Sequence, residues 1–407
     1  MNEIDADQES FNDRFMTALV SADIAPQKIM NPVLRKFLEY EMKRTIPHPS
    51  TLRRSIERLY RERINKLRNF FRGKDVFFII DETTDSQDRN VVNVMAGAID
   101  GKKPVIALIN VQFASVVNDR VIREIILQTC KKIWRGANIY PRLKLIVSDQ
   151  ASYMVSAVRK MKEEGVVFPS VNHITCIVHA INLVCKSIQE NYTLVNMLIT
   201  AMKKWFRNAP KRKRAFKDST GVPLPPFPIT IRFGSWLKCV EYFVASGHWE
   251  KTKEFFLNCD ECEFGGKSIH LATIKKILSG KKIEDDLIQV SRFVILTDII
   301  TRLEARDLSE DDQFELLEKA KEVIYGTPFQ DKLDKSLSKN PDLYSFFDSQ
   351  NSMEDRLNRF YVPITSCEVE RSFSLYKNML TDKRTGLLPK SLRMMMVIKC
   401  NQNIKFK

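Results

Sequence analysis

The spacing of hydrophobic positions changes along the chain, and each change marks a different kind of element. Between residues 11 and 25, Phe11, Phe15, Leu19 and Val20 recur at helical spacing, and Val33, Phe37 and Leu38 open a second short helix after Pro32. Ser50 or Thr51 stands where it could cap a longer helix, whose apolar stripe is Leu52, Ile56, Leu59, Ile64, Leu67 and Phe71 and whose end is Gly73. Its other face carries Arg53, Arg54, Arg58, Arg61, Lys66 and Arg68, a pattern that fits a solvated face or a phosphate-facing one. Then the period collapses. Residues 76–80 form an unbroken apolar run ending on Asp81, as expected of a strand buried on both faces, and 91–99 and 105–113 are β-rich segments separated by Asp100-Gly101. Helical spacing returns at Ile122, Ile125, Ile126, Cys130, Ile133 and Trp134. A second buried strand is predicted over 143–147, leading to Asp149, followed by a helix over 151–164, a short strand near 172–175 and a helix through Ile177, Ile181, Leu183, Val184 and Ile188.

The resulting order, β-β-β-α-β-α-β-α, predicts an α/β fold of the ribonuclease-H-like kind, in which three antiparallel strands join parallel ones in a mixed sheet covered by helices. No G-x-G-x-x-G or G-x-x-x-x-G-K-[ST] follows any of these strands, which excludes the usual kinase, GTPase and dehydrogenase signatures. Beyond residue 190 the pattern is almost wholly helical, broken by the Pro-rich turn 222–228 (VPLPPFP) and by Gly265-Gly266. The chain therefore divides into an N-terminal helical region (1–73), the first part of the core (74–191), a helical insertion (192–361) and a C-terminal core helix and segment (362–407). The last of these has apolar faces built from Phe373, Leu375, Leu380, Leu392, Met395, Met396 and Ile398. No internal repeat of 20 to 50 residues is visible.

Composition narrows the function. The 407 residues are 44% hydrophobic and 28% charged, enough to bury a large core, which excludes disordered and low-complexity classes. Lys and Arg outnumber Asp and Glu by 65 to 50, a net charge of +15, which favours a polyanionic partner such as nucleic acid over a metabolite, or else serves solubility. Lys211, Arg212, Lys213 and Arg214 form an unbroken basic tetrad within a cationic stretch over 203–217, fit for phosphate contact, nuclear import or an exposed loop. No apolar run approaches the roughly 20 residues of a membrane helix, and the acidic first residues do not read as a secretory or transit signal. The eight cysteines are too unevenly spaced for a disulfide scaffold and are read as thiols of a reducing compartment. Cys259-x-x-Cys262 with His270 lacks a second ligand pair at finger spacing, which argues against structural zinc.

Two carboxylates carry the candidate chemistry. Asp81 and Asp149 end strands expected to be parallel neighbours, which would bring both to one rim, where hard divalent cations such as Mg²⁺ are held by a few carboxylate oxygens and assist phosphoryl displacement. An Asp in that position is also a common turn residue or helix cap, and Asp149 precedes a helix.

The words around these residues carry a resemblance. FFIIDETTD (77–85), IVSDQASYM (146–154), CIVHAINLV (176–184), IRFGSWL (231–237) and SCEVERSFS (366–374) resemble, in order, the hAT family of DNA transposases. The likeness runs from about residue 11 to the C-terminus and points especially to the subgroup related to CGG-repeat-binding proteins, which are domesticated hAT derivatives. It implies a ribonuclease-H-like core split by a helical insertion, with a D-D-E triad that binds two Mg²⁺ or Mn²⁺ ions. Asp81 matches the first Asp of the family's D-x-[WT]-[TS] word, Asp149 the second, and Glu370 the Glu of E-R-x-F-S, with Glu368 as the rival for the third place. Cys176-x-x-His179 matches the family's C-x-x-H word and reads as a buried packing and hydrogen-bonding element. The family's Arg-Trp word, whose Trp stacks on DNA, here reads Arg232-Phe233 with Trp236 three residues on. Arg232, Phe233 and Trp236 are thus candidate DNA contacts, or Phe233 and Trp236 are core aromatics. The BED zinc finger common in the family is missing ahead of the first strand, which is read as a truncated copy, a domesticated protein or a partner-dependent DNA binder. The resemblance implies a nuclear, transposase-derived DNA-binding protein, homodimeric through its C-terminal segment. Either it retains metal-dependent DNA cleavage and strand transfer, or it is an inactive domesticated scaffold; a generic ribonuclease-H-like nuclease is a third reading.

Overall fold

The apolar run that opens at Val76 has no polar alternation because it lies in the middle of a sheet. A computed structural model describes residues 3–134, 142–163, 170–228, 234–260, 264, 266, 268–340, 342–348, 352–380 and 387–404. The described residues form two compact units, Met1–Cys176 with Pro341–Lys407, and Ile177–Asn340.

The first unit holds a five-stranded mixed sheet among its described residues. Its strands are β1 (Val76–Thr84), β2 (Asn90–Ala98), β3 (Ala107–Ala114), β4 (Leu143–Ser148) and β5 (Asn172–Thr175), in the order β3-β2-β1-β4-β5. β1 pairs antiparallel with β2 and parallel with β4; β2 pairs antiparallel with β3, and β4 parallel with β5. As the central strand, β1 is buried on both faces from Val76 to Asp81. Across the hairpin Phe77 faces Gly97, where a Cβ would lie 2.2 Å from the Phe77 ring, so the ring occupies the space a side chain would need.

Helices α1 (Glu3–Ser21), α2 (Pro32–Met42) and α3 (Pro49–Phe70) precede the sheet, and α4 (Asp119–Ile133) and α5 (Ser152–Glu163) connect β3 to β4 and β4 to β5. The second unit is helical: α6 (Ile177–Asn191), α7 (Thr193–Phe206), α8 (Pro210–Thr220), α9 (Ser235–Val244), α10 (His248–Asn258), α11 (Ile269–Leu278), α12 (Lys282–Ser291), α13 (Ile295–Leu303), α14 (Glu310–Ile324) and α15 (Gln330–Ser338). Its core includes Trp205 with Phe255, Phe256 and Phe264 packed edge-on around the indole. The chain then returns to the first unit as α16 (Asp342–Phe346), α17 (Met353–Arg359), α18 (Cys367–Met379) and α19 (Pro389–Cys400). Among the described residues no helix is long and apolar enough to cross a membrane.

Three local expectations are corrected. Asp81 does not end its strand: β1 continues to Thr84 because pairing with β2 extends to Thr84 opposite Asn90. The cap of α3 is His48, whose Nδ1 accepts from Ser50 N–H, and Pro49 takes the first helical position where its missing N–H costs nothing, so neither Ser50 nor Thr51 is the cap. The first helix begins at Glu3 rather than near residue 11, since polar helix formers extend it without adding to any apolar stripe. α2 forms because Asn31 accepts from the N–H groups of Val33 and Leu34 and Pro32 presets the first turn, yet it buries none of its residues. Val33, Phe37 and Tyr40 are 78%, 57% and 81% exposed.

One buried knot of hydrogen bonds fastens α18 to the β1–β2 hairpin. Asp85 follows β1 directly, and its carboxylate accepts from Gln87 N–H (2.8 Å), Arg89 N–H (3.0 Å), Arg89 Nε (2.8 Å) and the Tyr376 hydroxyl of α18 (2.7 Å). Nearby, Asn93 of β2 donates to Ser372 Oγ of α18 at 2.8 Å. Burial acts to raise the Asp85 pKa, but the bonds from Arg89, Tyr376 and the two backbone N–H groups outweigh it and hold the carboxyl below the ordinary carboxylate range. Because that folded-state value is depressed, the knot's stabilisation is complete above the unfolded Asp value of about 3.9 and is lost as pH falls through the folded value. Tyr376→Phe keeps the ring and removes the donor; it should lower unfolding stability by about 1.5–3 kcal/mol in urea denaturation at pH 7 and flatten the acid limb of stability against pH.

Candidate functional site

Parallel pairing of β1 with β4 sets the site's floor. Ile79 pairs with Val147, so Asp81 and Asp149 each stand two residues beyond a paired position on adjacent strands. Asp81 is 7% exposed and its Oδ1 accepts from Glu82 N–H at 2.8 Å; Asp149 Oδ1 accepts from Ala151 N–H at 3.2 Å, at the entrance to α5. α18 supplies the third group. A Glu370 carboxylate oxygen lies within 4.8 Å of one from Asp81, while Glu368 forms an ion pair with Arg371 on its own helix. Among the described residues the Asp81, Asp149 and Glu370 carboxylates do not all fall within 4.8 Å of one another; what Asp149 shares with Asp81 is a charge effect on the Tyr153 hydroxyl. Burial raises that hydroxyl's pKa, and so do its bond to Glu82 Oε2 (2.9 Å) and the charges of Glu82, Asp149 and Asp81, so three carboxylates act on one phenol.

From the first unit the candidate ligand atoms are the carboxylate oxygens of Asp81 and Glu370, which suit hard divalent cations such as Mg²⁺ or Mn²⁺, and two carboxylates this close are stabilised by a shared cation. The thiols beside α18 fit a different role. Cys176 is fully buried and accepts from Ser366 N–H at 3.2 Å. Cys367 is held well above the ordinary thiol range, first by its hydrogen bond to Cys176 and then by burial, so its thiol stays protonated at the start of α18. Cys259 is also buried, and Cys262 lies outside the described residues.

Sequence reasoning missed Tyr153, Asn93, Ser372 and the Asp85–Arg89–Tyr376 knot. Asp85 and Tyr153 fall inside the words FFIIDETTD and IVSDQASYM, and that placement was the only signal available for them.

The second unit contains a cleft of about 980 Å³ whose lining, among the described residues, includes Lys186, Lys203, Lys204, Arg207 and Lys213 with Trp236 and no carboxylate. Trp236 is 5% exposed, and among the described residues its buried Nε1 has no hydrogen-bond partner. Of the basic tetrad, Lys211, Lys213 and Arg214 are exposed, whereas Arg212 donates to the carbonyls of Trp205 (3.0 Å) and Phe264 (3.2 Å) and covers the Trp205 ring. Arg232 and Phe233 lie outside the described residues. A cleft with five cations and mixed apolar walls is suited to a phosphate backbone.

Comparison with known proteins gives one family match and one structural likeness to report. Residues 358–401 match the hAT family C-terminal dimerisation region. The chain is similar to the Drosophila P element transposase of a strand transfer complex, with a TM-score of 0.42 and 13% identity over 96% of this chain and 92% of that one. No curated protein sequence matches.

Mn²⁺ binding to the purified chain, followed by electron paramagnetic resonance, should weaken in Asp81→Asn and in Glu370→Gln by at least the roughly tenfold that losing an outer-shell partner costs. Glu368→Gln should leave the affinity unchanged, because that carboxylate is engaged with Arg371.

Proposed function

We propose that this chain is a hAT-transposase-derived protein of the nucleus, with a ribonuclease-H-like core, that binds DNA and retains a three-carboxylate site for its cleavage. The observation that carries the reading is the approach of Glu370 to Asp81, from a helix far along the chain, beside the strand that leads to Asp149. The match of residues 358–401 to a hAT dimerisation region supports the family half of the proposal, and the strand order β3-β2-β1-β4-β5 supports the fold half.

In this reading Asp81, Asp149 and Glu370 hold Mg²⁺ or Mn²⁺, which when bound supplies Lewis acidity toward a phosphodiester and lowers the pKa of water. The chain's own residues bind and orient. The cations of the second-unit cleft, together with exposed Lys211, Lys213 and Arg214, contact phosphates. Asn93 and Tyr376 fix the helix that presents Glu370. The reaction assigned is hydrolysis of a DNA strand, with the freed 3′-hydroxyl as the group that would join a target strand. Phe233 in place of the family's Trp favours a second reading, a domesticated protein that binds DNA without cutting it.

A second copy of the chain is the assigned occupant of the apolar surface around α2. The segment that leads toward α2, residues 24–28, lines a groove of about 1010 Å³ with Ile56, Leu387, Leu388 and Met395 and the charged Asp23 and Arg53; Leu387, Leu388 and Met395 belong to the matched dimerisation region. That continuity argues for self-association over a foreign partner.

Two measurements test the proposal. Incubated with supercoiled plasmid and Mn²⁺, the chain should nick DNA; Asp149→Asn should abolish nicking and Lys332→Gln should not, and DNA binding without nicking would select the second reading. In sedimentation the wild type should be dimeric and Phe37→Glu with Tyr40→Glu monomeric; a monomeric wild type would remove α2 from any interface between copies.

A further inference from the structure

A separate cluster of cations gathers at the sheet's edge strand, β3, and nothing above uses it. α4 and α19 each direct a basic side chain to a polar residue of that strand, and α3 brings a third cation against the end of α4. Lys132, in the last turn of α4, donates to Asn110 Oδ1 of β3, and Arg393 of α19 donates from Nη2 to Gln112 Oε1 at 2.7 Å. Arg68 of α3 donates from Nε to the Lys132 carbonyl at 2.7 Å and from Nη1 to Asn65 Oδ1 at 2.9 Å. Tyr60 of α3 lies within electrostatic reach of both Arg393 and Arg68. Arg393 Nε is buried with no hydrogen-bond partner. Access from solvent is by way of Gln112, whose Nε2 donates to Gln128 Oε1 at 2.7 Å in an exposed bond.

The bond partners of Lys132 and Arg393 are amide oxygens, dipoles without net charge. Carboxylates nearby are committed elsewhere: Glu57 is shared between Arg61 and Lys390, and Glu62 acts on Arg63. Converging half-buried cations raise one another's energy, and the usual compensation is a bound oxyanion that accepts several charge-assisted hydrogen bonds. Consistent with an uncompensated cluster, burial and then the charge of Arg393 push the Lys132 ammonium down to about 7.

We infer that the edge of β3 is a phosphate-binding site in which Lys132 and Arg393 take the oxygens of one phosphate group. Its donors are the unused Nε of Arg393 and the remaining N–H groups of Lys132, with Gln112 and Gln128 as a polar rim. The source of the group is inorganic phosphate or a nucleic-acid backbone, and the site needs neither the carboxylate cluster nor any cleavage. An arriving anion stabilises the charged form of Lys132, so binding takes up a proton at pH 8.

The test uses the full chain and inorganic phosphate. Titration calorimetry at pH 8 in two buffers of different ionisation enthalpy should show phosphate binding with net proton uptake. Arg393→Gln should weaken binding about tenfold or more, and Lys132→Met, which removes a buried charge and so should fold, should weaken it and abolish the proton uptake. Lys332→Gln, an exposed position in the other unit, should change neither. Equal phosphate affinity in wild type, Arg393→Gln and Lys132→Met, or no binding by the wild type, would overturn the site. The second arm distinguishes the source: with duplex DNA, a loss of about one from the slope of log affinity against log salt in Arg393→Gln marks backbone phosphate, whereas an unchanged slope marks inorganic phosphate.

Discussion

The first unit depends on holding a helix from the end of the chain against a hairpin near its middle. Ser372 and Tyr376 are four residues apart, so they share one face of α18, and their bonds to Asn93 and Asp85 fix both the rotation and the height of that helix. Once these are fixed, the location of Glu370 follows. Glu368, two residues earlier and roughly 200° around the helix, cannot present its carboxylate in the same direction. The knot is strong because it is desolvated and charged: an ionised carboxylate receives a guanidinium, a phenol and two backbone N–H groups in the protein interior, where losing any one leaves the others incompletely paired.

Much of this architecture was legible in the sequence. Burial on both faces of β1 writes itself as VFFII, and the short apolar run LKLIV predicts its parallel neighbour, so the order of elements and the side-by-side placement of Asp81 and Asp149 could be read from residue patterns alone. The polar fastenings could not. Asn93 is fully buried in β2, yet a lone Asn in a strand leaves no periodic mark, and its partner Ser372 is near only after folding. The end of β1 was misplaced for a related reason: Thr83 and Thr84 are paired across the hairpin, and pairing depends on the partner strand rather than on local apolarity. α2 shows the converse limit. Periodicity gave the helix but could not tell which surface covers it, since an apolar stripe looks the same whether it faces its own core or another molecule.

The net positive charge is not spread evenly in its consequences. Arg58 pairs with Asp13, Arg61 with Glu57 and Arg89 with Asp85, so these cations are neutralised within the fold. By contrast Lys186, Lys203, Lys204, Arg207 and Lys213 line a cleft with no carboxylate among its described residues, and Lys132 and Arg393 bond to neutral amides. A folded chain gains nothing in stability from gathering like charges, which repel and lose hydration. Such clusters persist when something other than the fold favours them. In the same unit as Lys132 and Arg393, carboxylates of Asp81 and Glu370 are brought within 4.8 Å. One arrangement favours cations and the other favours oxyanions, the complementarity that the proposed metal-assisted phosphodiester chemistry would use. The segregation of charge, more than its sum, is therefore what this fold maintains against its own electrostatic cost.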